Sequence, residues 1–445
     1  MRRALLVGLV AVCAAATPFT GPPANGISSA VVTTDTSTTT FDVNGLRVIL
    51  RRNTANDVIA ANLYLLGGTR QLSPATQGLE AFLLAVSERG TAKYPKELVR
   101  QKTARLGSSI GIEPTKDWTL FGMTTIAAAF DSTWSIFADR LMAPTLDSLE
   151  VELVRARMLA AARDLDAQPE PRVRHIADSL AFVGHPYSFS AEGNESSLFS
   201  ITLSALKNYH ANQMVTSRML LVIVGNVERA RVEPLVEATL GKLPPGTYRW
   251  TPPPTAPRLG RAVVKLNADL PTNYILGYFT GPNARHPDYQ ALRIATAVLS
   301  GRFFTEVRSK RNLSYEVDAP FIDRGIATGG MYVTTVDPNA TLRVMRAELT
   351  KLQAEVVDRS GLERLIQQFI TDFFLKNETN ADQATFLARA MIYEGDYRQA
   401  DRFVENLRRV TPEDVRRVAR QYMRDFRFTY LGNPAKLDAS ILDQF

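Results

Sequence analysis

The chain has 445 residues, of which 45% are hydrophobic and 22% are charged, and its formal net charge is +7. This length predicts two or more domains, and this composition excludes a largely disordered chain. The cations are scattered along the sequence instead of being gathered in one segment, which gives no support to nucleic-acid binding.

The first residues have the three parts of a secretory signal peptide. Two arginines precede an apolar run that ends in small residues at Ala16, and this run is too short to cross a membrane. We assign residues 1–25 to the signal peptide and predict a periplasmic or secreted protein. Lipid attachment at Cys13 is a less favoured alternative, because Val12 precedes it where a small residue is preferred. Removal of Cys13, the only cysteine, would exclude disulfides, thiolate–metal sites and a cysteine nucleophile.

The first half begins with a strand hairpin. Asn44 and Gly45 form its turn between the alternating apolar residues of FDVNGLRVILRR (41–52), a combination that is typical of a two-residue hairpin loop. The patterns that follow predict strands over 58–66, 108–113, 118–127 and 218–224, and helices over 78–91, 95–106, 133–183 (with breaks at Pro144, Pro169 and Pro171) and 200–212.

A proline-rich linker separates the two halves. Residues 248–260 contain WTPPPTAP, in which four prolines forbid a helix and stiffen the chain. After the linker the pattern restarts, with strands over 262–266, 274–279, 315–320, 330–336 and 428–431, and helices over 288–299, 302–310, 341–358, 361–375, 384–393 and 412–423.

The ends of the two halves repeat each other. A threonine-led helix precedes VIVGNV at 222–227, and another precedes TYLGNP at 429–434, an offset of about 207 residues. We therefore predict an α+β protein of two tandem homologous domains, 26–247 and 261–445. Each domain would be an antiparallel sheet covered by helices, and the pair would form a clamshell.

The helix over 78–91 (GLEAFLLAVSERGT) is the segment around which a site could be built. Residues three and four apart share a helix face, so we expect Ala81, Leu84, Ala85 and Glu88 to point inward together. Histidines at such a spacing would bind zinc, but alanine and leucine cannot. From spacing alone, an ordinary buried helix is the favoured interpretation.

The segments around this helix resemble the zinc peptidases of the pitrilysin/insulinase type. The resemblance is carried by GGTR at 67–70, GL at 78–79, RGT at 89–91 and GHPY at 184–187. It places the two histidines of that family's inverted H-x-x-E-H motif on Ala81 and Ala85, and the catalytic glutamate on Leu84. The family's distant third ligand falls on Ala162 in RARMLAAAR. The resemblance therefore implies a degenerate zinc site, with no metal in this chain.

A second segment of the same family is intact. In LSGRFFTEVRSKRNLSYEV (299–317), Arg308 and Tyr315 stand seven apart, as in the family segment that binds the substrate backbone and helps to stabilise the tetrahedral intermediate. Arginine offers a fixed fork of donors, and a tyrosine hydroxyl can donate to a developing oxyanion. The alternative is that the nearby cations form a solvated face and Tyr315 packs in a sheet.

The four histidines give little support to another metal site. None of His175, His185, His210 and His286 lies three or four residues from another, so no helix can supply two ligands. The one G-x-S-x-G match, GSSIG at 107–111, lies between a predicted helix and a predicted strand, whereas the serine of a nucleophile elbow sits on a turn from a strand into a helix.

The resemblance implies a non-catalytic, substrate-binding subunit of a heteromeric zinc metallopeptidase. Its partner would be a zinc-bearing homologous subunit of the H-x-x-E-H type, its substrate a peptide, and Arg308 and Tyr315 would complete the partner's site. We expect no hydrolysis by the chain alone and no membrane span. The alternative is a peptidase-like binding or scaffold protein without a role in proteolysis.

Overall fold

The structure is a computed structural model that describes residues 37–256 and 259–445. The predicted signal peptide, residues 1–25, lies outside the described residues, and so do two residues of the predicted linker. Every helix within the described ranges is too short or too polar to cross a membrane.

The first sheet has six strands in the order β1-β2-β6-β3-β5-β4. Its pairs are antiparallel except for β2 and β6, which run parallel. The predicted hairpin is confirmed, because Asn44 and Gly45 have φ of 48° and 83° between β1 and β2. The strands are β1 (Thr38–Val43), β2 (Leu46–Arg52), β3 (Val58–Leu66), β4 (Ser109–Pro114), β5 (Trp118–Ile126) and β6 (Met219–Gly225).

Eight helices belong to the same part of the described chain. They are α1 (Leu79–Ser87), α2 (Lys96–Arg105), α3 (Phe130–Met142), α4 (Ser148–Ala167), α5 (Pro169–Ala181), α6 (Glu195–Ser200), α7 (Leu203–Gln213) and α8 (Arg229–Ala238). Breaks occur near Pro144 and at Pro169, as predicted. The predicted break at Pro171 is wrong, because this residue lies in the first turn of α5, where backbone N–H groups have no helical partner.

The second sheet repeats the plan of the first. Its order is β10-β11-β8-β12-β7, with β9 also paired to β11, and only β12 and β7 run parallel. The strands are β7 (Ala262–Asn267), β8 (Asn273–Asn283), β9 (Val317–Asp318), β10 (Phe321–Ile322), β11 (Ile326–Thr335) and β12 (Arg427–Gly432). The repeated sequences thus lie on β6 and β12, which make the parallel pair of each sheet. The predicted α+β class is confirmed, with one parallel pair in each mainly antiparallel sheet.

The helices of the second half are α9 (Asp288–Phe303), α10 (Pro338–Ala354), α11 (Arg359–Lys376), α12 (Asn380–Glu394), α13 (Phe403–Arg408) and α14 (Pro412–Tyr422). The predicted break between 299 and 302 is wrong, because α9 continues into a π-helical turn at Phe304–Ser309. Gly301 costs a helix only about 1 kcal/mol relative to alanine, and the fully buried Leu299 and Phe303 on either side hold the helix to the core.

Each sheet is covered on one face by a helix from the other half of the chain. Helix α5 packs on β8 and β12 of the second sheet, and α12 packs on β3 and β6 of the first. Buried apolar side chains form both contacts: Val173, Ala177 and Ala181 of α5 with Leu276, Tyr278 and Leu431, and Ala384, Leu387 and Ala388 of α12 with Tyr64, Leu220 and Val222. Neither sheet therefore has a complete core without the other half.

Candidate functional site: an alanine-lined cavity and an exposed Arg–Tyr pair

Helix α1 is enclosed on every side. All of its residues from Leu79 to Ser87 are buried, and Glu80 forms a buried ion pair with Arg218 at 2.6 Å. Gly78 precedes the helix with φ of 78°, and a Cβ there would lie 2.6 Å from the carbonyl oxygen of Glu192. This position therefore needs glycine both for its left-handed backbone and for the close approach of the loop before α6.

Three of the predicted zinc-site positions meet at one cavity, which we call the alanine cavity. Ala81 and Ala85 of α1 face Ala162 of α4 across a space of about 270 Å³. Leu84 is buried in the core beside them but does not line this space. The two helices thus hold the positions that the resemblance assigns to three zinc ligands around a single void.

The prediction that Glu88 shares this inward face is wrong. Glu88 caps the C-terminal end of α1 and is exposed to solvent. The helix ends at Ser87, four residues before the predicted end at 91, so the face is formed by Ala81, Leu84 and Ala85 alone.

The alanine cavity does not fit zinc. A catalytic zinc needs three protein ligands in tetrahedral geometry, and the positions that should supply them carry methyl groups. Asp166, His175 and Glu192 do line the wall, but residues 37–256 and 259–445 include no group of three His, Cys, Asp or Glu side chains that could hold a metal ion.

Arg308 and Tyr315 form a stacked pair on the surface. The guanidinium carbon of Arg308 lies 4.5 Å from the ring centre of Tyr315 and 5.1 Å from that of Phe304, within the range of cation–π contacts. Tyr315 is 81% exposed. It lies before β9, so its predicted place in a strand is wrong, although its neighbours Val317 and Asp318 do pair with β11.

Arg308 differs from the cations next to it in having no acidic partner within the described residues. Glu306 binds both Lys310, at 2.7 Å, and Arg311, at 2.6 Å. These two cations lower the pKa of Glu306 to about 2. Glu306 therefore stays ionised and bound to Lys310 and Arg311. The N–H donors of Arg308 remain available to a group from outside the chain.

A larger polar cleft adjoins the alanine cavity. The polar cleft has a volume of about 470 Å³ and is lined by both halves of the chain, including Lys116, Arg324 and Arg389. Asp178 of α5 bridges Lys116 at 2.9 Å and Arg324 at 2.6 Å. Burial alone would raise the pKa of Asp178, but these two cations lower it to about 2.

Asp117 is the residue of this region that the sequence analysis missed. It is 1% exposed and accepts hydrogen bonds from the hydroxyls of Tyr187 and Tyr393 and from the backbone N–H of Gly325. Its only sequence signal is an Asp in the short turn between two predicted strands, beside Lys116. A buried carboxylate with three donors from three other segments holds the two halves together.

The GHPY loop, residues 184–187, is structural. Its histidine, His185, is buried, and its ring nitrogens bond the carbonyl oxygen of Pro254 and the backbone N–H of Tyr187, both at 3.1 Å. Burial lowers the pKa of His185, so the ring is neutral at physiological pH and fixes the loop against the linker.

Comparison with known proteins gives two family models that match this chain. The model described as insulinase (peptidase family M16) matches residues 47–193, and the model described as peptidase M16 inactive domain matches residues 200–369. The first range contains Ala81, Ala85 and Ala162, and the second contains Arg308 and Tyr315.

Relatives of known name are distant but similar over most of their length. The mitochondrial-processing peptidase subunit beta of Blastocladiella emersonii is 24% identical over 408 residues, which cover 86% of this chain and 85% of the relative. The cytochrome b-c1 complex subunit 1 of Caenorhabditis elegans is 24% identical over 403 residues, which cover 86% and 84%. A solved structure, a peptidase M16 inactive domain from Pseudomonas fluorescens, matches with a TM-score of 0.82 at 18% identity and covers 89% of this chain and 98% of its own. At this identity the structure shows a shared fold alone.

Proposed function

Because this chain belongs to the insulinase family of peptidases (peptidase family M16), we propose that it is the non-catalytic, substrate-binding subunit of a heteromeric zinc metallopeptidase. One observation carries the proposal. The positions of its own zinc site are apolar, whereas the half-buried Arg308 and the exposed Tyr315 lie on the surface and make no side-chain hydrogen bond within the described residues. Donors that have no partner in the described chain are available to a substrate held by another subunit.

The chemistry of the pair suits a peptide whose carbonyl group is under attack. Zinc held by the partner would supply the Lewis acid and the activated water. The guanidinium of Arg308, stacked between Phe304 and Tyr315, can present two parallel N–H groups to a substrate carbonyl. The hydroxyl of Tyr315 can donate to the same oxygen as negative charge develops on it. Both residues would bind the substrate and stabilise the transition state without holding the metal.

The periplasmic or secreted location remains part of the proposal. It depends on the signal peptide predicted over residues 1–25. Mass spectrometry of the protein purified from its native host tests it, since a mature chain starting near residue 26 is expected.

Purification of the native complex tests the subunit role. We expect a C-terminally tagged chain to bring down a homologous subunit that carries H-x-x-E-H, and the complex to hold about one zinc and to hydrolyse peptides until a chelator is added. The isolated chain should hold no stoichiometric zinc and cleave nothing. Tightly bound zinc and chelator-sensitive activity in the isolated chain would contradict the proposal.

A scaffold role is the second candidate, and a specific similarity favours it. The match to the cytochrome b-c1 complex subunit 1 covers as much of this chain as the match to the processing peptidase subunit does. In that case the native complex would contain no H-x-x-E-H subunit. Tyr315→Phe would then leave unchanged whatever activity the native complex has.

A further inference from the structure

The alanine cavity exists because small side chains meet where α1 and α4 face each other. Ala81 and Ala85 of α1 and Ala162 of α4 leave space between the helices, and Ile112, Met158 and Leu198 complete the apolar wall. The pocket is open on one side, where its lining residues Arg157, Asp166 and Glu192 are exposed. Since no side chain of residues 37–256 and 259–445 fills this space, it is available to an apolar group from outside.

The size of the cavity matches a single side chain. An apolar protein cavity of about 150 Å³ already accepts benzene, and the alanine cavity measures about 270 Å³. A phenylalanine or leucine side chain would fit within it, with room for the first atoms of the attached backbone.

The mouth of the alanine cavity leads into the polar cleft. Five residues line both spaces: Pro114, Leu165, His175, Ser190 and Glu192. A ligand with its apolar group in the cavity would therefore extend among polar groups contributed by both halves. An apolar cavity that opens into a polar cleft suits a polymer with an apolar side group better than it suits a compact hydrocarbon.

The charged side chains that line the cavity favour a peptide over a fatty acid. Asp166, Glu192 and Arg157 line the cavity, and within the described residues no ion pair or hydrogen bond engages their side chains. The carboxylate of a fatty acid would meet two acids for one arginine, which is a net negative surrounding. A peptide backbone is neutral, and it offers donors to acids and acceptors to the arginine.

We propose that the alanine cavity binds one large apolar side chain of a peptide whose backbone runs along the polar cleft. With this site the subunit would select peptides that carry a large apolar residue. The site lies where the resemblance to the zinc peptidases places the metal ligands. The pocket belongs to this chain alone, so its existence does not require a zinc-bearing partner.

Titration of the full isolated chain with capped peptides tests the proposal. The probes are the peptides acetyl-Gly-Gly-X-Gly-Gly-amide, in which X is Phe, Leu, Ala or Asp. Binding is measured by calorimetry and by the change of the ¹³C-methyl NMR signal of Met158. We expect the Phe and Leu peptides to bind about 10- to 100-fold tighter than the Ala peptide, as burial of such a side chain predicts. The aromatic ring of the Phe peptide should shift the Met158 signal.

A cavity-filling variant and its matched control decide whether binding occurs in this cavity. Ala162→Leu should abolish the preference for Phe over Ala, and Ala162→Met serves as a second variant of different shape. Ala160→Leu adds the same side chain to an exposed position of the same helix that does not line the cavity, and it should change nothing.

Three results would overturn the proposal. They are equal affinity for the Phe and Ala peptides, a preference that survives both Ala162 variants, and binding of toluene or laurate where no peptide binds. Because no partner is present, these outcomes are independent of the copurification result, which alone decides the subunit role.

Discussion

The alanine cavity and the Arg308–Tyr315 pair have opposite surroundings. The first lies between α1 and α4 and is lined at its base by the methyl groups of buried alanines, and the second lies on the surface, with Tyr315 exposed, Arg308 half-buried and no side-chain hydrogen bond within the described residues. A histidine or glutamate left in the enclosed site without a metal would be a buried polar group lacking a partner, at a cost of about 1–3 kcal/mol. A half-buried arginine at the surface carries less of this cost, since water still reaches its guanidinium. Loss of the metal thus favours apolar residues in one region and tolerates the original chemistry in the other.

The largest effect is expected where the two halves are tied together. Asp178→Asn should lower the free energy of unfolding by about 3–5 kcal/mol, because it leaves the mostly buried Lys116 and Arg324 without their counter-charge. Urea unfolding measures this loss. Asp131→Asn, which breaks an exposed pair with Arg231, is the control and should cost less than about 1 kcal/mol.

The same substitution should alter stability in acid. The pKa of Asp178 is lowered from its usual 3.8 to about 2 by Arg324 and Lys116, against the effect of burial. Its contribution is therefore complete above about pH 4 and is lost as the pH falls through about 2. The Asn variant should lack this part of the acid transition, and identical pH profiles of the two proteins would show that Asp178 is not paired as described.

The exposed pair should matter for turnover and not for assembly. In the purified complex, Arg308→Ala or Tyr315→Phe should lower kcat/KM by about 10²–10³-fold, as removal of one oxyanion donor does. Zinc content and the elution volume of the complex should stay the same. Tyr315→Phe is the sharper variant because it removes one hydroxyl and keeps the ring that stacks on Arg308.

Lys310→Ala is the matched control for this experiment. Lys310 lies on the same turn but is bound to Glu306, so its removal should leave turnover near that of the native complex. If Arg308→Ala and Tyr315→Phe behave like Lys310→Ala, the pair has no catalytic role and the scaffold function is favoured.

One aspartate placed in each region should have unequal effects on stability. Ala81→Asp puts a carboxylate on a residue that is 3% exposed and should cost about 1–3 kcal/mol, the usual penalty for a buried polar group without a partner. Arg308→Asp, at a half-buried surface position, should cost about 1 kcal/mol or less, since it loses a cation–π contact and no hydrogen bond within the described residues. Equal midpoints of urea unfolding for the two variants would mean that the alanine cavity is fully hydrated.

The smallest effect is expected from rebuilding the helical motif. Ala81→His, Leu84→Glu and Ala85→His together should produce no peptidase, because the third ligand is still an alanine at 162 and a supporting shell is lacking. Peptide hydrolysis by the triple variant, before and after addition of zinc, is the measurement. Chelator-sensitive turnover would show that a residue other than Ala162 occupies the third position.

Local patterns predicted the strands and helices well, and tertiary contacts account for the errors. β3 has its predicted ends, 58–66, because one apolar run fills a central strand. Tyr315 begins the predicted strand over 315–320, but the pairing with β11 starts only at Val317. Glu88 fits the helical spacing of α1, but the helix ends before it.

The site was only partly accessible to sequence reasoning. The resemblance named Ala81, Ala85 and Ala162, and no spacing rule connects α1 to a position some 80 residues later in α4. Arg308 could be singled out, but its lack of a partner depends on Glu306 being occupied by Lys310 and Arg311. The polar cleft could not be predicted at all, since its ion pairs join segments that meet only through the exchange of α5 and α12.

That exchange constrains the order in which the chain can fold. The first sheet has all of its strands once Gly225 has been made, but α12, which covers one of its faces, begins 155 positions later at Asn380. Contacts between such distant segments form slowly, because a long loop must close before they contribute. Until then the apolar face around Tyr64, Trp118 and Val222 lies open to other chains. A truncation before residue 380 should therefore yield an aggregating product and no stable N-terminal half, and the cell would need a chaperone to hold this face until synthesis ends.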